Sequence, residues 1–220
     1  MLNYEADPAL LSPLAPQGTE LDTWNGKTYL SIVGFLFQRT RVMGMRIPLH
    51  ENFEEVNLRF YVRRKAAEGW RRGVVFIKEI VPRKAIAATA RAFYNENYIA
   101  LPMSHETGSG KAVYRWRHRS QWHSLSVIPT GDAREAVPGS EEEFITEHYW
   151  GYSRQRDGGT VEYCVEHPRW RIWQAAAATF SCDVASLYGA EFAGSLSRVP
   201  SSAFLADGSP VTVCRGTRLR

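Results

Sequence analysis

Between Phe53 and Val62 the chain alternates strictly. Glu55, Asn57, Arg59 and Tyr61 fall on one side of a period-two pattern, and Val56, Leu58, Phe60 and Val62 fall on the other behind a leading Glu54. A strand points successive side chains to opposite faces, so the pattern predicts a β-strand with two unlike sides. The same reading predicts strands over 21–24 and 27–37 about an Asn25-Gly26 turn, and a short strand over 41–47. It predicts a hairpin from 53–64 through Glu68-Gly69 into 71–81, a strand over 98–103, and a second hairpin over 111–118 and 121–128. Further strands are expected over 160–166, 170–178, 202–205 and 210–214.

Helical signals interrupt this at four places. Asp7 caps a short helix with Pro8 in its first turn, ended by Pro13 and Pro16. Pro82 opens a helix whose apolar stripe is Ile86, Thr89, Ala90, Phe93 and Tyr94. Residues 130–140 read as a loop that ends at Ser140, an N-cap followed by Glu141 to Glu143, where negative charge suits the helix dipole. The last helix runs over 182–196 with Asp183 near its start. Many strands with few, separated helices predict a mainly β (α+β) fold, closed or sandwich-like, with helices packed outside. No Pro- or Ser-rich linker divides residues 1–220, so a single domain is expected.

Seven Trp, ten Tyr and ten Phe fit a strand-rich chain with an aromatic-lined interior. The net charge of +4 is spread over Arg63-Arg64-Lys65, Arg71-Arg72, Arg83-Lys84 and 115–119. It is not gathered on one element with reading side chains, which speaks against nucleic-acid binding. Cys164, Cys182 and Cys214 lie far apart, with no CxxC pair, as expected of reduced thiols in a cytoplasm. No secretory leader pattern opens the chain, and the longest apolar run, 32–37, is too short to span a bilayer.

Motifs for chemistry are sparse. Gly108-Ser109-Gly110-Lys111 is partway to a phosphate loop, but His105 and Ala112 occupy the positions that would complete it. The six histidines show no metal-ligand spacing, no dinucleotide-binding glycine pattern follows a strand, and no nucleophile elbow is present. No metal or cofactor is therefore expected. Lys78 and Glu79 are neighbours on one apolar strand, so one of the two should face inward. An inward Lys78 would be a base or Schiff-base former, and an inward Glu79 beside Arg59 would be an ion pair. Thr146 to Tyr152 forms a second polar-aromatic cluster. Glu147 and Tyr149 share one strand face there, and His148 reads as an exposed residue at a helix end.

The segments 7–22, Ser31-Ile32-Val33-Gly34-Phe35-Leu36-Phe37, 53–62, 71–83, 145–152, 166–170 and 202–213 resemble, in order and spacing, the uncharacterised YqjF-like family, a domain of unknown function. That family in turn resembles the acetoacetate decarboxylase superfamily, through the opening acid-Pro-x-x-Leu helix and the Phe53-Glu54-Glu55 strand start. The second resemblance implies a closed, coned β-barrel with a central cavity and places Glu55 inside it. The decarboxylases carry a catalytic Pro-Lys-Lys on the strand after the long helix, but 96–102 holds no lysine here. This departure speaks against acetoacetate decarboxylation. Relatives also carry a Trp-containing strand ahead of Asn3-Tyr4. Here that strand is absent or the start differs, which would leave a barrel edge open.

Two functions follow. In one, a cytoplasmic barrel binds a small carboxylate or carbonyl compound, and turnover would be of lyase or hydrolase type. Arg59 clamps the anionic group, Asn57 and Tyr61 orient it, Glu79, Glu147 and Tyr149 line the site, and Glu55 (or Lys78) moves a proton. In the other, the same Glu, Asn and Arg side chains close into an internal network, and the protein is a structural or interaction module. No membrane or nucleic-acid partner is expected, and a homo-oligomer is compatible with either.

Overall fold

The computed structural model describes residues 1–42, 45–46, 52–85, 87, 95–108 and 110–219. The strands are β1 (Leu2–Ala6), β2 (Glu20–Leu21), β3 (Thr28–Phe37), β4 (Arg41–Val42), β5 (Met45–Arg46), β6 (Phe53–Ala66), β7 (Gly69–Val81), β8 (Tyr98–Ala100) and β9 (Met103–Gly108). They continue as β10 (Lys111–His118), β11 (Gln121–Glu135), β12 (Trp150–Arg154), β13 (Thr160–Glu166), β14 (Arg171–Ser181), β15 (Ser202–Ala206), β16 (Thr212–Val213) and β17 (Thr217–Arg218). The helices are short: α1 (Pro8–Leu11), α2 (Glu141–Thr146), α3 (Val184–Leu187) and α4 (Ala190–Leu196). None among the described residues is long and apolar enough to cross a membrane.

The caps read from the sequence are in place. The side chain of Asp7 accepts from the Ala9 amide and that of Ser140 from the Glu143 amide. Asn25 and Gly26 both have positive φ, 49° and 75°, the twist a tight hairpin turn needs. Several expectations change. The strand expected over 21–24 ends at Leu21 as β2, paired with β6, and beyond it Trp24 makes only an isolated bridge to Lys27. The 41–47 strand is the two-residue pair β4 and β5. The 130–140 loop begins as strand, because β11 continues to Glu135 against β14 through two register shifts. The helix over 182–196 is broken at Gly189, whose φ of 127° no helix tolerates, and Asp183 caps its first piece. The strand expected over 98–103 is β8, and β9 follows after a break at Leu101 and Pro102. The Pro82 helix, with its stripe Ile86, Thr89, Ala90, Phe93 and Tyr94, lies almost wholly outside the described residues.

One sheet carries nearly all the strands, in the order β16-β13-β12-β7-β6-β3-β1-β15-β14-β11-β10-β9. β1 is hydrogen-bonded on both sides, by β3 and β15, so no edge is open there. The ladder has two ends, β16 and β9. Among the described residues no strand pairing joins them to complete the closed barrel expected. The β9 edge is blunted by charge, with Glu106 paired to Lys111 at 2.8 Å.

The sheet nevertheless curls over a core. Val56, Leu58, Phe60 and Val62 are each 0% exposed and meet Trp116 of β10, Leu125 of β11 and Leu187 of α3 in one cluster. Burying each such side chain is worth about 1.5–3 kcal/mol. A Cβ on Gly34 of β3 would lie 2.6 Å from the Tyr114 ring of β10, so strands remote in the ladder are in contact across the fold. The other face of β6 is also covered. Tyr61 there packs with Val74, Phe144 and Ile145 beneath α2.

Candidate functional site

β6 and β7 pair antiparallel, with Asn57 opposite Glu79 and Leu58 opposite Lys78. At the next step Arg59 faces Phe76, which leaves Ile77 as an extra residue on β7. This bulge resets the alternation. Val74 and Phe76 pack with Tyr61 on the polar side of β6, and after the bulge it is Glu79 that joins Asn57 on that side. Lys78 pairs with buried Leu58 and donates its Nζ to the carbonyl of Leu187 at the end of α3. Burial lowers its pKa. The bulge therefore separates Lys78 from the cluster around Glu55, and the Lys78–Glu79 alternative resolves in favour of Glu79.

Three carboxyl groups converge on that polar side. Glu55 is 2% exposed, Glu79 2% and Glu96 7%. Asn57 Nδ2 donates to Glu55 Oε1 at 3.1 Å and the Tyr98 hydroxyl to Glu55 Oε2 at 3.1 Å. The Tyr163 hydroxyl donates to Glu96 Oε1 at 2.9 Å. β8 lies parallel to the end of β7, with Glu79 in register with Tyr98. Tyr163 reaches the cluster from β13, which is hydrogen-bonded to β12.

Burial pushes the Glu55 carboxyl up to about 7, against its bonds from Asn57 and Tyr98 and the charge of Arg59. Burial, and secondarily the neighbouring Glu55, push Glu96 up to about 8. Glu79 is raised well above the carboxylate range by burial, then by Glu96 and Glu55. Burial likewise raises the hydroxyls of Tyr98 and Tyr163. Like charges packed together cannot all ionise, so near neutral pH the cluster holds protons that it can give or take.

Arg59 is half-buried on the same strand. Its guanidinium lies 5.7 Å from the Tyr61 ring centroid, and its Nη2 is 4.0 Å from Met1 Sδ. Among the described residues no carboxylate is paired with it, and its buried Nε has no acceptor. Asn57 Oδ1 and Glu79 Oε2 are buried without partners too. Such orphans are uncommon in folded proteins and call for an explanation. Clefts open at the surface among the described residues. One of about 310 Å³ is lined by Trp24, Trp70 and Arg72, and one of about 420 Å³ by Phe37, Arg39 and His105. Neither is lined by Arg59 or Glu55.

Tyr61 is committed elsewhere. Its hydroxyl lies 2.6 Å from Ser31 Oγ, which in turn donates to Asn3 Oδ1 at 2.6 Å. Its ring sits 4.6 Å from that of His148. His148 is not the exposed residue expected but is 6% exposed, because the chain leaving α2 turns it under β6. Its Nε2 is 3.1 Å from Asp22 Oδ2, which also accepts from Arg72 Nε at 2.6 Å. Burial lowers the imidazole to about 4 despite the Asp22 bond, so the ring is neutral, with its proton on Nε2 and a partnerless Nδ1. Burial pushes Asp22 up, but the bonds from His148 and Arg72 outweigh it and hold the carboxyl low. Glu147 and Tyr149 bond to each other, with Arg169 3.5 Å from Glu147. Among the described residues no contact joins them to Glu55.

Sequence reasoning therefore named Glu55, Asn57, Arg59 and Glu79 together and missed Glu96, Tyr98, Tyr163 and Asp22. A signal existed for two of these. Glu96 and Tyr98 lie in 96–102, the stretch that the resemblance aligns with the decarboxylase lysines. Tyr163 and Asp22 arrive through pairing of distant strands and carry no local signal.

Known proteins bear on this arrangement. Uncharacterized protein YqjF of Bacillus subtilis (strain 168) is 26% identical over 179 residues, 80% of this chain and 72% of that protein. An acetoacetate decarboxylase from Legionella pneumophila superposes with a TM-score of 0.66 at 12% identity, covering 100% of this chain and 83% of its own. The enduracididine biosynthesis enzyme MppR complexed with pyruvate gives 0.61 at 12% identity, covering 99% and 83%. At such identities the likeness is one of fold, and the fold is acetoacetate decarboxylase-like. A family model described as an uncharacterized conserved protein, DUF2071, matches residues 1–210, from β1 through the β6–β7 pair to beyond β15. The chain belongs to the DUF2071 family.

Proposed function

We propose that this protein binds a small carboxylate or carbonyl compound against the Glu55–Asn57–Arg59 face of β6, and that Glu55 exchanges a proton with it. The observation that carries the reading is Arg59: a half-buried guanidinium without a carboxylate partner among the described residues, its buried Nε lacking an acceptor. A ligand oxygen would accept from Arg59 and from protonated Glu79, and a ligand donor would satisfy Asn57 Oδ1. Glu55, with a pKa of about 7, suits either direction of proton transfer at neutral pH. Tyr61 shapes the wall through its ring, since its hydroxyl is bound to Ser31.

Turnover on this face would be of lyase or hydrolase type without a Schiff base, because Lys78 lies on the opposite side of β7. That a protein of similar fold was solved with pyruvate supports the ligand class. The three free thiols support a cytoplasmic setting. A second reading has its own observation. Neither surface cleft reaches the cluster, as a closed internal network in a structural or interaction module would require.

A thermal-shift screen of small carboxylates, keto acids and esters separates the two. Ligand at 100 times its Kd adds about 2.7 kcal/mol, a rise of several degrees. The expected result is a hit in wild type that Arg59→Ala loses. No hit, with Arg59→Ala itself strongly destabilised, would establish the closed network instead.

A further inference from the structure

The cysteines that look unrelated along the chain are not all apart in the fold. β13 pairs with β16 through Val165 opposite Val213, and the Cys214 amide donates to the Cys164 carbonyl at 2.9 Å. Two residues beyond Cys164, on the same face of β13, stands Glu166. The two Sγ atoms and a Glu166 carboxylate oxygen all lie within 4.8 Å of one another. Both thiols are free and partly accessible, and the carboxylate is exposed.

We propose that Cys164, Cys214 and Glu166 form a binding site for a borderline-soft divalent cation of the zinc class, with its fourth position open to water. Tetrahedral coordination with metal–sulfur bonds of about 2.3 Å puts the two sulfurs about 3.8 Å apart. The present spread therefore needs to contract by about 1 Å at most, within reach of side-chain rotation. Two thiolates with one carboxylate select zinc, cobalt or their neighbours over magnesium or calcium, which take oxygen ligands.

Proton competition sets the pH dependence of such a site. Burial, and then the neighbouring Cys214 thiol, push the Cys164 thiol up to about 11. A cation would displace the Cys164 proton, and binding would strengthen as pH rises. The site is also separate from the carboxylate cluster. Tyr163, which bonds Glu96, points to the other face of β13 from its neighbour Cys164.

The test is a titration of Co²⁺ into reduced, chelator-washed protein under nitrogen, read by absorption and compared among wild type, Cys164→Ser, Cys214→Ser and Glu166→Gln. Melting curves without metal check that each variant is folded. The expected result is a thiolate-to-cobalt charge-transfer band in wild type, displaced by stoichiometric Zn²⁺ and absent from both serine variants. Glu166→Gln should keep the band with weakened affinity. No such band in wild type would overturn the site, as would a band that survives either serine substitution. An unchanged affinity in Glu166→Gln would remove the carboxylate and with it the three-ligand assignment. Oxidation of the pair to a disulfide in air, with no cobalt uptake when reduced, would overturn it equally.

Discussion

Glu162 and the Glu55–Glu79–Glu96 cluster are both buried acid groups, and the fold treats them in opposite ways. Glu162 accepts from Arg64 Nε at 2.7 Å and from Arg64 Nη2 at 3.1 Å, and Arg71 Nη1 reaches it as well. Burial pushes its carboxyl up, but the bonds from Arg64 and the charge of Arg71 outweigh this and hold it low. The cluster has two hydroxyls and one amide donor, and its single nearby cation, Arg59, makes no ion pair with it among the described residues. Burial then dominates and the carboxyls rise. A carboxylate ringed by guanidinium groups is finished chemically, whereas one that shares protons with its neighbours and leaves acceptors unused has capacity to spare.

The two regions should respond oppositely to pH, and this is the largest expected effect. Glu55 ordinarily titrates at 4.5 and is raised to about 7 in the fold. Between those values the native state keeps a proton that the unfolded chain has lost, so stability falls as pH rises. The contribution is fully present below 4.5 and is lost as pH rises through about 7. At about 1.4 kcal/mol per pKa unit, the change is on the order of 3 kcal/mol. Urea denaturation at pH 5 and pH 8.5 should show the loss in wild type, and Glu55→Gln should make it smaller, with Glu79 and Glu96 still contributing. Superimposable profiles for the two proteins would mean that Glu55 does not titrate there. Glu162, held low, contributes above its ordinary value of 4.5 and loses that contribution only as pH falls through its folded value.

Next in size is Glu162→Gln. It strands two arginines whose side chains are 21% and 24% exposed, so the cost is moderated by water to about 2 kcal/mol at pH 7. Denaturant midpoints would measure it, and a neutral result would show that Arg64 and Arg71 find solvent instead. Smallest is Lys78→Met. It removes one hydrogen bond to Leu187 while keeping the apolar stem, a change of about 1 kcal/mol or less. If the screen yields a ligand, its affinity should be unaltered in this variant, and loss of binding would return Lys78 to the site.

The period-two segment was legible because its signal is local. Val56, Leu58, Phe60 and Val62 had to be covered, and the opposite face had to hold Glu55, Asn57 and Arg59. Turns and caps at Asn25-Gly26, Asp7 and Ser140 were legible for the same reason, since each depends on a few adjacent residues. The sequence alone thus determined the mainly β character and the composition of one strand face. Tertiary structure decided the rest. The extra residue at Ile77 chose Glu79 over Lys78, and a bulge depends on how two strands meet rather than on either one. It brought Glu96 and Tyr163 to Glu55, His148 to Asp22, and Cys164 to Cys214. Closure of the sheet likewise depends on strand tilt and stagger summed over the whole ladder, which no local window contains.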